Sequence, residues 1–343
     1  MSLSSPIQGL RQPLDELVEI LKMAAEPSRL RILRVLAAGD LTVTDLTTIL
    51  GQSQPRVSRH LKLLVEHRLI RRWQEGSWAF FRVNREPAYW ELVNTLLAHL
   101  DTNDATLQRD EERLNAVKRE RRERASDYFS QNANAWDKIR SLHAPDSQVE
   151  ASLLEAIGEG PFNAMLDIGT GTGRMLELFA PKAQSALGVD HNRDMLAIAR
   201  ANIDSAGLKG AEVRLGDIEN LDVGRSVYDL VLIHQVLHFL HDPGMAVAEA
   251  VRALAPGGTV AIVDFATHDN EELRTEHQHL RLGFADDVVI GWLLEAGISD
   301  VQTHAVEAGA HTSGGSKPLT VKIWVGRDSN YEVAASAHDT ELA

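Results

Sequence analysis

Three acidic residues in the C-terminal half of this 343-residue chain stand in or just after short apolar runs. The first, Asp167, belongs to the run 164–168 and opens the segment Asp167-Ile168-Gly169-Thr170-Gly171-Thr172-Gly173. Glycines at that spacing let a ligand approach the main chain and leave free amides at the start of a following helix, expected near Arg174. The second, Asp190, follows the run 186–189 and lies 23 residues after Asp167, where a carboxylate can accept both ribose hydroxyls of an adenosine moiety. The third, Asp217, follows 212–215; it can accept from an adenine amino group, with Ile218 as an apolar wall beside the ring. The dinucleotide fingerprint G-x-G-x-x-G is not met, because its third glycine would fall on Arg174.

Histidines follow in the same half. His234 and His238 come after a fourth apolar run, and His277 and His279 after a fifth; each is a candidate general base, with polar lining of a pocket or simple surface as the alternative. The spacing of His234, His238 and His241 admits a metal reading, but His234 closes a strand and only Asp242 adds a carboxylate, so no metal is expected. The chain has no cysteine, which removes thiolate ligands, disulfides and a cysteine nucleophile, and agrees with a cytoplasmic location.

A different chemistry sits near the other end. Between residues 51 and 72 stand Arg56, Arg59, Lys62, Arg68, Arg71 and Arg72 against the single acid Glu66. The net charge of -14 hides this: residues 1–100 hold 13 Lys and Arg against 10 Asp and Glu, 101–125 hold 7 against 7, and 126–343 hold 15 against 32. One end suits phosphates, and the other repels them.

The elements that must position these residues follow from periodicity. Apolar residues recur at helical spacing from Leu14 to Leu36, with Pro27 separating two helices. Thr42 or Thr44 can cap a third helix, Gly51 turns the chain, and Ser53 can cap a fourth. On that fourth helix Val57, Leu61, Leu64 and Val65 point inward, leaving Gln54, Arg56, Ser58, Arg59, His60 and Lys62 for the edges and phosphates of a major groove. Runs 69–73 and 78–83 around Glu75-Gly76 read as a hairpin that carries Arg82. Val93, Leu100, Leu107 and Leu114 are spaced by seven, yet their companions Asn103 and Asp110 are polar, so a dimerising helix near 90–100 and a solvated helical linker beyond it are expected. From 164 onward strands alternate with helices as in a parallel sheet covered on both faces, and runs 301–306 and 321–325 form an antiparallel pair at one edge.

Residues Glu26 to Leu33 and Gln54 to Leu64 resemble the winged-helix repressors of the ArsR/SmtB type over about residues 14–100. The resemblance implies a homodimer on double-stranded operator DNA, contacted through Ser53, Gln54, Arg56, Ser58, Arg59, His60, Lys62 and Arg82. Metal sensors of that family carry a cysteine pair on the third helix; Leu41 to Leu46 has none, so soft-metal sensing is not supported. The glycine segment, Asp190, Asp217-Ile218, His234 to Leu240 and Leu254 to Gly258 together resemble class I S-adenosylmethionine (SAM)-dependent methyltransferases of the type 11 group. This implies SAM or S-adenosylhomocysteine (SAH) at Asp167, Gly169, Thr170, Gly171, Gly173, Asp190, His191, Met195, Asp217, Ile218 and His234, with Tyr128, Phe129 and Trp136 where such enzymes often carry a lid. His234, His238 and His279 are the candidate bases toward a small-molecule methyl acceptor.

The expected fold class is α/β and multidomain: a winged helix-turn-helix with its dimerisation helix at 1–100, a helical linker and lid segment at 101–149, a Rossmann-like methyltransferase sheet at 150–326 and a disordered tail at 327–343. Neither a signal peptide nor a membrane span is expected. Two functions remain open. One is a regulator whose methyltransferase-type domain senses SAM or SAH; the other is a working small-molecule methyltransferase that regulates its own operon.

Overall fold

The computed structural model describes residues 12–75, 78–84, 86–133, 136, 146–208, 210–307 and 319–328. They fall into two compact units, Met1–Arg122 and Glu123–Ala343. Among the described residues no helix is long and apolar enough to cross a membrane. Of the tail read as disordered, 329–343 lies outside the described residues, and so does the hairpin tip at Gly76.

The first unit contains α1 (Leu14–Ala24), α2 (Pro27–Ala37), α3 (Val43–Leu50), α4 (Gln54–Glu66), α5 (Pro87–Ala98) and the start of α6 (Ala105–Asn132). Strands β1 (Leu41–Thr42), β2 (Ile70–Glu75) and β3 (Trp78–Val83) form an antiparallel sheet in the order β1-β3-β2. Thr42 caps α3 in a reciprocal box with Asp45, which is why α3 starts at Val43. Ser53 stands at the N-cap of α4 but makes no side-chain cap bond. Ile32, Leu33, Leu46, Ile49, Val57, Leu61 and Leu64 close the core.

Helix α6 departs from the expected solvated linker. The heptad is interrupted at 99–104, where Asp104 accepts from the amides of Thr106 and Leu107 and restarts the chain as a new helix. Leu107 and Leu114 are buried, and Leu114 and Val117 join the first unit's core. Asp110, read as a polar break in the seam, is only 1% exposed because Arg31 grips it through two bonds of 2.6 Å each. Arg34 pairs with Glu111, and the Arg113 guanidinium donates to the carbonyl of Ile49. A one-dimensional pattern counts Asp110 as hydrophilic; the fold supplies a counter-ion 79 residues away.

The second unit carries α7 (Asp146–Ile157), β4 (Phe162–Ile168), α8 (Arg174–Phe179), β5 (Ala183–Asp190), α9 (Arg193–Ala206), β6 (Ala211–Leu215) and β7 (Tyr228–His234). A short 3-10 turn (Leu237–Phe239), α10 (Pro243–Ala253), β8 (Leu254–Phe265), α11 (Glu272–His277), α12 (Asp286–Glu295), β9 (Asp300–Val306) and β10 (Val321–Arg327) complete it. The sheet order is β6-β5-β4-β7-β8-β10-β9, parallel from β6 to β8, with β10 antiparallel to both neighbours. Val149, Leu153, Leu176 and Phe179 belong to one apolar cluster and Val247, Ala250, Trp292 and Leu293 to the other, each with its own set of strand residues. Two such layers explain why the strands read as continuous apolar runs rather than as alternating ones. The chain leaves β4 for β5 on one side and later places β7 on the other, so the carboxyl ends of β4 and β7 splay around a crevice.

Asp110→Ala leaves a guanidinium in a largely buried place without its carboxylate. It is expected to cost the first unit about 3 kcal/mol, with the double change Arg31→Met and Asp110→Leu costing much less; urea unfolding of both variants checks this.

Candidate functional site

The crevice is built on the turn after β4. Gly169 and Thr170 donate their amides to the carbonyl of Val189 at 2.8 and 3.0 Å, which binds the turn to β5. Gly169 takes a left-handed φ of 73°, and a Cβ there would lie 2.4 Å from Val236 Cγ2, so both conformation and space demand glycine. Asp167 is buried and accepts the Thr170 hydroxyl at 2.6 Å.

Asp190 closes the turn from the other side. Its Oδ2 accepts the Gly171 amide at 2.9 Å and its Oδ1 the Asn192 amide at 2.8 Å. Burial pushes this carboxyl above the usual aspartate range, with His191 and the amides of Asn192 and Gly171 acting against it. Asn192 caps α9 through the amides of Asp194 and Met195, and its side-chain amide donates to Ser130 Oγ, which ties the end of α6 to this corner.

Of the residues expected to hold a cofactor, Asp167, Gly169, Thr170, Gly171, Asp190, His191, Met195, Ile218 and His234 line the crevice, which encloses about 660 Å³ including the part open to solvent. Gly173 does not line it and instead packs against α9, where a Cβ would meet that of Ala199 at 3.2 Å. Asp217 stands outside as well: it is exposed and accepts the Glu219 amide at 3.0 Å. The strand ends at Leu215, two residues earlier, and the following turn directs Ile218 rather than the acid into the wall.

Residues given no role of their own from the sequence complete the lining, among them Arg174 and Met175 and, within the motif His234 to Leu240, Gln235, Val236, Phe239 and Leu240. Gln235 is a non-glycine residue at φ 53°, a strained conformation of the kind found at binding sites, and only the folded backbone reveals it. Arg174 is held by both oxygens of Glu150 at 2.7 Å and by Glu177 at 2.8 Å. Phe129 and Trp136 cover the crevice together with Phe239, with ring centroids 5.1 Å apart for Phe129 and Trp136 and 4.7 Å for Phe129 and Phe239. Tyr128 points elsewhere, its hydroxyl 2.6 Å from His277 Nδ1, and burial raises its phenol to about 12.

The three candidate bases separate. His234 is half-buried in the crevice wall at the end of β7. His238 and His279 lie behind Phe239 instead, stacked on each other at 4.0 Å and absent from the lining. His238 Nδ1 is 2.7 Å from Oδ1 of Asp264, a fully buried carboxylate, so this imidazole anchors the 3-10 turn to the end of β8. Among the described residues no group of three or more His, Asp or Glu is disposed to hold a metal ion.

In the first unit α4 exposes Gln54, Arg56, Ser58, Arg59 and Lys62, with Ser53 exposed at its cap. Two residues expected with them are placed otherwise. His60 is half-buried with Nδ1 3.6 Å from Glu26, and burial holds its imidazole below the usual value despite that carboxylate. Arg82 makes two 2.7 Å bonds to the buried Asp40 and lies 5.2 Å from the Trp73 ring centroid, so it braces β3 rather than projecting from the wing.

Fold and crevice define the class: a winged helix-turn-helix followed by a class I methyltransferase domain. Family models match both parts, the bacterial regulatory protein, arsR family, over residues 26–72 and the methyltransferase domain over 166–262. The chain is 36% identical over 89 residues to the arsenical resistance operon repressor of Staphylococcus xylosus, a match covering 26% of this chain and 84% of that protein. It is 28% identical over 153 residues to the uncharacterized methyltransferase YcgJ of Bacillus subtilis, 44% of this chain and 59% of that one. A chain from the solved complex between the Haloferax volcanii Trm112 methyltransferase activator and a methyltransferase superposes with a TM-score of 0.50 at 18% identity, over 58% of this chain and 97% of that one, which shows the shared fold. The chain belongs to the arsR family of bacterial regulatory proteins through its first unit and carries a methyltransferase domain in its second. It spans between 43% and 84% of the length of the first curated relatives it matches.

Gly169→Ala forces a Cβ into Val236 at a left-handed φ and is expected to destabilise the second unit by about 2–4 kcal/mol. Adding Val236→Ala should recover part of that loss in thermal unfolding, the part due to the clash.

Proposed function

We propose that the protein is a dimeric, DNA-binding transcriptional regulator whose second unit binds SAM or SAH, and that occupancy of the crevice changes operator affinity. One observation carries the coupling: α6 supplies Asp110 and Leu114 to the first unit's interior and Phe129 to the crevice wall. A shift of Phe129 on ligand binding therefore has a covalent route to the winged helix. Coupling requires only that the two helix environments prefer different arrangements, and it is reciprocal by linkage.

The residues present fit an adenosyl ligand. Gly169 and Gly171 let an amino-acid moiety approach the main chain of the turn, Asp190 retains acceptor capacity for ribose hydroxyls, and Ile218 and Met195 give the base an apolar slot. When bound, SAM supplies an electrophilic methyl on a sulfonium. Operator DNA would meet the exposed donors Ser53, Gln54, Arg56, Ser58, Arg59 and Lys62. Leu14, Val18 and Leu21, 76%, 38% and 40% exposed at successive turns of one face of α1, are an apolar stripe that a second copy of the chain would cover.

A second reading, turnover on a small-molecule acceptor, is favoured by His234, an imidazole in the crevice wall. In that case the aromatic cover excludes water and His234 takes the acceptor's proton, while alignment supplies much of the rate. SAH formation above a protein-free control, with a panel of amine, phenol and carboxylate acceptors, separates turnover from sensing.

Calorimetry with SAM and SAH, with and without operator DNA, tests the main reading; equal ligand affinities in both states would remove the coupling. Asp190→Ala is expected to weaken SAM binding at least tenfold and leave ligand-free operator affinity intact. Arg56→Ala and Arg59→Ala are expected to lower DNA affinity, each reducing the salt slope by about 1 if it meets a phosphate, with SAM affinity unchanged. Leu14→Glu with Leu21→Glu should shift the sedimentation coefficient from dimer to monomer.

A further inference from the structure

We infer that the crevice discriminates by charge, binding the sulfonium form SAM more tightly than the neutral thioether SAH, through the rings of Phe129, Trp136 and Phe239. The inference rests on the adenosyl reading above and goes on to say which adenosyl compound the protein responds to. In SAM the sulfur is bonded both to the amino-acid chain and to the ribose, so it must lie between whatever holds the one and whatever holds the other.

Gly171 occupies that span. Its amide belongs to the turn and is bonded to Asp190, the ribose acceptor, at 2.9 Å. A Cβ on Gly171 would lie 3.7 Å from Trp136 Nε1, which puts the nitrogen edge of the indole beside this point. Phe129 extends the cover toward the ribose side, its ring centroid 6.1 Å from that of His191. Phe239 closes the third side, with its plane 77° from that of Phe129 and 50° from that of Trp136. Three rings lining one space replace water there with polarisable π-systems, and a cation that meets a ring face gains an attraction that a neutral sulfur does not.

The formal charges act in the same sense. Asp167 and Asp190 are buried in the lining, whereas the guanidinium of Arg174 is committed to Glu150 and Glu177. Residues 126–343 hold 32 acidic against 15 basic side chains, so the surrounding field favours the more positive ligand. A regulator built this way follows the SAM pool itself and releases when the methyl, and with it the charge, is lost.

The test is calorimetry on the full chain at pH 8, where an ordinary imidazole is uncharged, with three compounds: SAM, SAH, and sinefungin, which carries an ammonium in place of the sulfonium methyl. SAM and sinefungin are expected to bind between about threefold and thirtyfold more tightly than SAH, the span of one cation and ring contact. Phe129→Leu and Phe239→Leu, each checked for native circular dichroism, should bring the ratio toward one mainly by weakening SAM and sinefungin. Equal affinities, or SAH binding tightest, would overturn the inference and leave the adenosyl reading standing. A ratio unchanged in both variants would overturn the role of the rings, and failure of all three compounds to bind would take down the adenosyl reading and this one together.

Discussion

The carboxylate of Asp190 accepts two backbone amides, those of Gly171 and Asn192, and the crevice depends on that pair of hydrogen bonds. It joins the turn after β4 to the turn after β5, two segments that a parallel sheet sets side by side without fixing their tips. A buried carboxylate facing only apolar groups would be strongly disfavoured; amides from both turns offset that cost and leave outward lone pairs for a ligand. Gly169, bonded to Val189 and pressed against Val236, completes the clamp. With these contacts in place, the turn is fixed before any ligand arrives, so little ordering remains to oppose binding.

A second buried charge organises the first unit. Arg31 joins α2 to α6 through Asp110 and donates to the carbonyl of Leu50, so one guanidinium satisfies the open end of α3 and recruits the linker helix into the core. The same helix reaches the crevice through Phe129.

Several side chains whose chemistry suggests contact with ligand are engaged inside the fold. Arg82 is taken by Asp40 and Trp73, His60 lies toward Glu26, and His238 faces Asp264. For Arg82 and His238 a carboxylate distant in sequence bonds the side chain in a partly dry environment, where such a bond is strengthened, whereas His60 is drawn from the surface by burial beside Glu26. What remains exposed on α4 is a narrower set of donors, and what remains in the crevice wall from the three candidate histidines is His234.

Local rules of spacing determined much by themselves. A third helix beginning near Thr42 or Thr44, a fourth beginning after Ser53, the hairpin strands, the alternation of strand and helix, the glycine turn and Asp190 all follow from interactions among near neighbours, where periodicity, turn residues and left-handed φ leave direct marks in residue type. The tertiary structure decided the rest. Whether Asp110 is solvated or buried depends on Arg31, and whether Asp217 or Ile218 lines the crevice depends on where β6 stops. Which aromatic rings share a space depends on α6 and the 3-10 turn after β7 meeting across the crevice. Such outcomes turn on the direction of a side chain and on partners far along the chain, quantities that a linear pattern of residue types does not contain.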